Sequence, residues 1–180
     1  SQLAMGTFDD VNAIAKIAVN THLAGAAGVV TGAALTRLIG GKTDIIMMLN
    51  GALAGLVAIT AEPLTPTPIV AMVIGSIGAV IMYYGTKLLE YLRLDDVVGA
   101  IPVHLFSGIF GTLVVPFTNV NTSFGTQLLG VTSICTFSFL FSYAVFRTMK
   151  ETTGLRISKA AEKLGTDKAE IGVAAYSIRD

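Results

Sequence analysis

The chain has 180 residues, 53% of them hydrophobic and 13% charged, with a formal net charge of zero. Soluble domains carry about 25% charged residues, and here no Asp, Glu, Lys or Arg occurs between Asp44 and Glu62, Glu62 and Lys87, or Asp96 and Arg147. Such gaps exclude a water-dressed surface over most of the chain and point to lipid as solvent, and the zero net charge gives no electrostatic reason to expect a nucleic-acid partner.

Five apolar runs follow in chain order, expected as membrane helices over 13–39, 45–61, 69–91, 97–117 and 127–146. A helix needs about 20 residues to cross the hydrocarbon core, so the second run is the short one. Gly40-Gly41 closes the first run, Pro63, Pro66 and Pro68 separate the second from the third, and Asn119, Asn121 and Gly125 separate the fourth from the fifth. A transmembrane domain is therefore expected over 1–148. The polar, mixed-charge segment 149–180 reads as an aqueous tail. The start, SQLAMGTFDD, has neither an initiator Met nor a basic leader, and reads as the interior of a longer chain.

Lys and Arg alternate between connectors. Arg37 and Lys42 follow the first run, Lys87 and Arg93 the third, and the tail is rich in both, whereas the other two connectors have none. The pattern predicts five crossings and a cytoplasmic C-terminus. Lys16 is the exception, and is expected to snorkel to the interface.

Glycines fall three or four apart: Gly25 and Gly28, Gly51 and Gly55, Gly75 and Gly78, Gly108 and Gly111. That spacing lets membrane helices approach closely. Cys135 stands alone in an apolar run and reads as a packing residue. No phosphate-binding loop, nucleophile elbow, metal-ligand spacing or pair of membrane carboxylates is present, so neither an enzyme nor a cofactor or metal site is expected.

The residue that asks for a function is His104, inside DDVVGAIPVHLFSGIFGTLVVPF. An ionisable group within a membrane segment is costly and is a functional candidate by default. It lies roughly 12 Å beyond Asp96 on helical geometry. A neutral imidazole has one donor and one acceptor, which suits a proton relay or a small polar solute. The alternative is a core histidine bonded to a neighbouring carbonyl. His22 reads as a polar helix-contact residue, and Pro102 as a kink beside His104. Asp95 and Asp96 are expected to cap the fourth helix. Glu62 is either a cation attractor or a solvated loop residue. Phe106 and the other aromatics are either pore gates or lipid-facing and core residues.

Several stretches together resemble the ammonium transporter family: LNGALAGLVAITAEP (49–63), LDDVVGAIPVHLFSGIFGTL (94–113), VNTHLAGAAG (19–28) and the tail motif GLRIS with EKLGTDKAEIGVAAY (154–176). The resemblance covers nearly the whole chain in order. It implies an all-α polytopic bundle, with this chain as the C-terminal half of an eleven-helix inverted-repeat subunit, in a homotrimer with one pore per subunit. It implies ammonium or ammonia as substrate, the cytoplasmic membrane as location, and a PII-class regulatory protein as a possible partner at the cytoplasmic face.

His104 matches the second of the family's two pore histidines, the first belonging to the other half. Ser1 falls at the serine of the outer recruitment site. The implied mechanism strips ammonium of its proton before a dry constriction. The sequence departs from the family pattern at Gly99 (an aspartate in the family), Ile101-Pro102, Leu105 and Glu170-Ile171-Gly172. The competing reading is an ammonium sensor built on the same fold.

Overall fold

The computed structural model describes residues 6–175, and among these all regular structure is helical. Helix α1 spans Phe8–Gly40, α2 Ile45–Thr60, α3 Pro68–Leu92, α4 Ser107–Thr118, α5 Phe124–Thr152 and α6 Lys159–Leu164, with π-helical turns at Ile101–Phe106 and Asp167–Ile171. Ser1 lies outside the described residues. Four segments are long and apolar enough to cross a membrane: α1, α3, α5 and the continuous stretch Ile101–Thr118, while α2 is a shorter apolar helix of 16 residues.

Local chemistry sets the ends. Thr7 and Asp10 form a reciprocal capping box at the start of α1. The Asp44 carboxylate accepts from the Met47 N–H at the start of α2, and Thr67 caps α3 with Pro68 in its first turn. Gly41, at φ 74°, and Arg93, at φ 56°, close α1 and α3 in the left-handed conformation.

The fourth helical stretch opens at Ile101 rather than at position 97. Gly99 has φ 76°, which the helix does not accommodate. Asp96 then reaches over the turn: its Oδ1 accepts from the Ala100 N–H at 2.8 Å and its Oδ2 from the Ile101 N–H at 2.8 Å. Pro102 has no N–H to satisfy, and the Val103 N–H reaches the Gly99 carbonyl at 3.1 Å. One carboxylate, one proline and one carbonyl thus account for the orphan donors of this helix start. Asp95 makes no comparable bond among the described residues.

Two compact units divide the chain, 1–132 and 133–180. In the first, α1, α2 and α3 pack against one another, and α4 packs on α2 and α3. Glycines make these contacts close. A β-carbon on Gly51 would stand 2.6 Å from the Gly28 carbonyl oxygen, and one on Gly32 would stand 2.8 Å from that of Met47. Gly55 and Gly75 both abut the Ala24 carbonyl from different helices, and Gly111 abuts that of Ala58. Small residues thus allow backbone-to-backbone packing where lipid supplies little hydrophobic drive. Ala24, Ala58, Ile59, Ala71 and Ile74 form one buried cluster, and Ala54, Met82 and Val103 another.

Polar bonds tie the two ends of this bundle. At one end the buried Asn20 amide donates to the Pro63 and Pro66 carbonyls at 2.8 and 2.9 Å. Glu62 takes the Leu64 and Thr65 N–H groups on Oε1 and the Asn119 amide on Oε2. At the other end the Asn50 amide donates to the Val98 carbonyl at 3.0 Å, and the Asp44 N–H donates to Thr36 at 3.3 Å.

The second unit carries the C-terminal part of α5, then α6, capped by Ser158, and the turn at Asp167–Ile171 closed by Gly172 at φ 78°. Arg147 pairs with Glu151 near the end of α5.

Candidate functional site

The stretch Ile101–Thr118 presents two adjacent rows of side chains. Val103, Ser107, Gly111 and Val115 are buried, four residues apart, facing α2 and α3. His104, Gly108 and Thr112 form the next row, displaced by one residue toward the open side. His104 is exposed and has no hydrogen-bond partner among the described residues. A core histidine bonded to a neighbouring carbonyl would show the opposite.

The row opens a cleft. Val57, Thr60, Ala61, Gly108 and Thr112 line an open groove of about 270 Å³ between α2 and α4. Thr60 and Thr112 spend their hydroxyl protons inside their own helices, on the Leu56 and Gly108 carbonyls at 2.6 and 3.0 Å. Their oxygens keep acceptor capacity, and their methyl groups add apolar surface. The wall is therefore mostly apolar, with a few acceptors, and His104 lies one turn before Gly108 on the same helix, outside the lining itself. Such a wall accommodates a small neutral solute with N–H donors and is costly for a bare cation.

The two glycines of this helix do different things. A β-carbon on Gly111 would strike the Ala58 carbonyl, whereas one on Gly108 would meet Val57 Cγ1 at an ordinary 3.6 Å. Gly111 is a packing glycine, and Gly108 keeps the cleft wide. Gly51 and Gly55 serve the α1–α2 contact instead.

Phe106 is turned away from the cleft. Its ring lies against Gly85 of α3, where a β-carbon would stand 2.6 Å from Phe106 Cδ2. His22 is exposed and its Nδ1 lies at donating distance, 2.7 Å, from the Ala18 carbonyl within its own helix, so it contacts no neighbouring helix through that bond. Glu62 is partly buried, and both its oxygens are engaged in tying connectors together. Asp96 caps the helix that carries His104, and so lies behind the site rather than in it.

Three residues of this region escaped the sequence reading. Thr112 and Thr60 were ordinary-looking threonines, although the spacing of four from His104 through Gly108 to Thr112 was a usable signal. Ser107 was hidden because its partner, Gly78, lies 29 residues away.

The model of the Ammonium Transporter Family matches residues 4–176. The chain belongs to that family. It is 41% identical over 184 residues to the ammonium transporter Amt2 of Archaeoglobus fulgidus, an alignment covering 91% of this chain and 39% of that protein. It is 31% identical to the ammonium transporter Amt1 of Methanocaldococcus jannaschii, covering 91% of this chain and 43% of that one. Among solved structures it resembles a protein described as a sensor Amt protein, with a TM-score of 0.81 and 31% identity over 87% of this chain and 42% of the other. It also shares the fold of Mep2 from Candida albicans, with a TM-score of 0.75. The chain thus spans about two fifths of the length of these relatives. The all-α membrane-bundle class expected from the sequence agrees with these structures.

Proposed function

We propose that these helices form one wall of an ammonium-conducting pore, with His104 facing the pore axis and Gly108 and Thr112 continuing the lining. The observation that carries this reading is an exposed imidazole, without a hydrogen-bond partner among the described residues, one turn before the Gly108 that lines a mostly apolar cleft. The matching face would come from helices outside this chain, including the family's other pore histidine. An imidazole pair there would pass the neutral molecule and relay its proton along the shared hydrogen bond.

The rest of the reading follows the family. The subunit is a homotrimer member in the cytoplasmic membrane with its C-terminus in the cytoplasm. Residues 1–148 are membrane-embedded, 149–180 form the tail, and a PII-class protein is the regulatory partner. The short α2 also crosses the bilayer. Asn50 in its second turn bonds Val98, and Glu62 just beyond its end bonds Asn119, the same two ends between which Ile101–Thr118 runs.

Likeness to a sensor Amt protein favours a second reading, in which ammonium occupancy is signalled rather than turned into flux. The test is ammonium flux in liposomes with the intact protein that carries this chain, beside its His104→Ala variant at matched folded protein. Loss of flux, or of selectivity over potassium, in the variant supports the pore. Normal selective flux in the variant removes His104 from the path. Binding without flux in the unsubstituted protein selects the sensor.

A further inference from the structure

His104 sits inside a π-helical turn, Ile101–Phe106, the only departure from α geometry among the described residues of the first unit's helices. Such turns are rare, cost hydrogen-bond geometry, and recur at functional sites. Something must hold this one open against relaxation to an α-helix.

The side chain placed to do so is Ser107. It is fully buried, at 0% exposure. Its hydroxyl lies 3.1 Å from the Pro102 carbonyl, five residues back, and 3.1 Å from the Gly78 carbonyl on α3. The Ser107 N–H also points to the Pro102 and His104 carbonyls. The wide turn is therefore closed twice at one residue, by a backbone and a side-chain donor, and the same hydroxyl is fastened to a neighbouring helix. Gly78 contributes closeness: a β-carbon there would stand 2.8 Å from the Ala54 carbonyl.

We infer that Ser107 is a positioning residue for His104: its hydroxyl, shared between Pro102 and Gly78, holds the π turn and thereby the direction of the imidazole. This rests on the pore reading for its functional consequence, but not for its geometric content. A local return to α spacing would rotate His104 relative to Gly108 and Thr112, and misalignment of about 1 Å at a reacting group costs up to about a hundredfold in rate.

The test separates the two. Intact protein labelled with nitrogen-15 in histidine gives imidazole resonances, with His104 assigned by its loss in His104→Asn. Ser107→Ala removes the hydroxyl, Ser107→Cys keeps the volume with a poor donor, and Ser107→Thr restores the hydroxyl. We expect the His104 signals to move in the first two and return in the third. Flux should fall on the order of tenfold with a shifted pH profile, and recover with threonine. Unmoved His104 signals in Ser107→Ala or Ser107→Cys would overturn the proposal. So would failure of both to fold beside a folded Ser107→Thr, since the hydroxyl would then build the fold and not aim the ring. If the signals move while His104→Ala conducts normally, the positioning stands and the pore reading falls.

Discussion

Glu62 and Asn119 are joined by a 3.0 Å bond between carboxylate and amide, across 57 residues of sequence. The bond links the connector after α2 to the end of α4, beside the cleft. Glu62→Ala removes this bond and the two from Leu64 and Thr65, and bonds to charged groups contribute about 1.5–3 kcal/mol each when buried. Glu62 is only half-buried, so a net loss of about 1–2 kcal/mol is expected. Glu62→Gln should retain most of it. Thermal unfolding in detergent measures both; equal midpoints for alanine and the unsubstituted protein would show that the bond contributes nothing.

Gly108 and Gly111 give opposite outcomes to the same change. Gly111→Ala places a methyl group against the Ala58 carbonyl and forces α2 and α4 apart, with an overpacking cost of about 1–3 kcal/mol. Gly108→Ala meets only Val57 at contact distance, so folded yield should be unchanged while conduction through the narrowed cleft drops. Yield of folded protein and liposome flux, measured on the same samples, distinguish them. Reduced yield for Gly108→Ala with normal yield for Gly111→Ala would reverse the assignment.

An aspartate at position 99 should carry a cost. At φ 76° any β-carbon is strained, by about 1–2 kcal/mol, and here it would also stand 2.7 Å from the Asn50 amide nitrogen. Gly99→Asp alone is expected to lower the melting midpoint, and part of the loss should disappear in the double variant with Asn50→Ala. Additive effects in that double-mutant cycle would mean the two residues do not interact.

Why some of this was legible and some was not comes down to range. The bundle class could be read because membrane burial is local: charge-free runs and glycines three or four apart appear within one helix. The capping role of Asp96 was readable for the same reason, acting on Ala100 and Ile101 nearby. Asn20 was invisible as a tie because its acceptors, the Pro63 and Pro66 carbonyls, are made available only by folding. Phe106 and Glu62 looked available for the pore or for cations until the structure set one against Gly85 and bonded the other to Asn119. Pro102 suggested a kink; the structure shows a widened turn, which depends on Ser107 meeting Gly78 and so on a helix 29 residues earlier.

The tail carries a pH-sensitive tie. The Asp167 carboxylate is held below its ordinary value of 3.8, first by the Ala175 N–H at 2.8 Å and then by that of Lys168. A depressed folded value means the tie is fully present above the ordinary carboxylate range and is lost as pH falls through the lower value. Hydrogen exchange at the Ala175 amide should stay protected down to about pH 4 and lose protection below it. Asp167→Asn should weaken that protection at neutral pH; full protection in the variant would place the tie elsewhere.

The widened turn at Ile101–Phe106 has one more consequence, for how this helix tolerates change in length. A π turn holds one residue more than the α turn it replaces. Deleting a single residue between Ile101 and Phe106 would let the backbone heal into an unbroken α-helix, leaving Asp96 still capping one end and Gly111 still seated on Ala58 at the other. The molecule would lose little of its fold and all of the phase between its anchor and its imidazole. Here a single-codon deletion is the mildest lesion to the scaffold and the most damaging to what the scaffold holds.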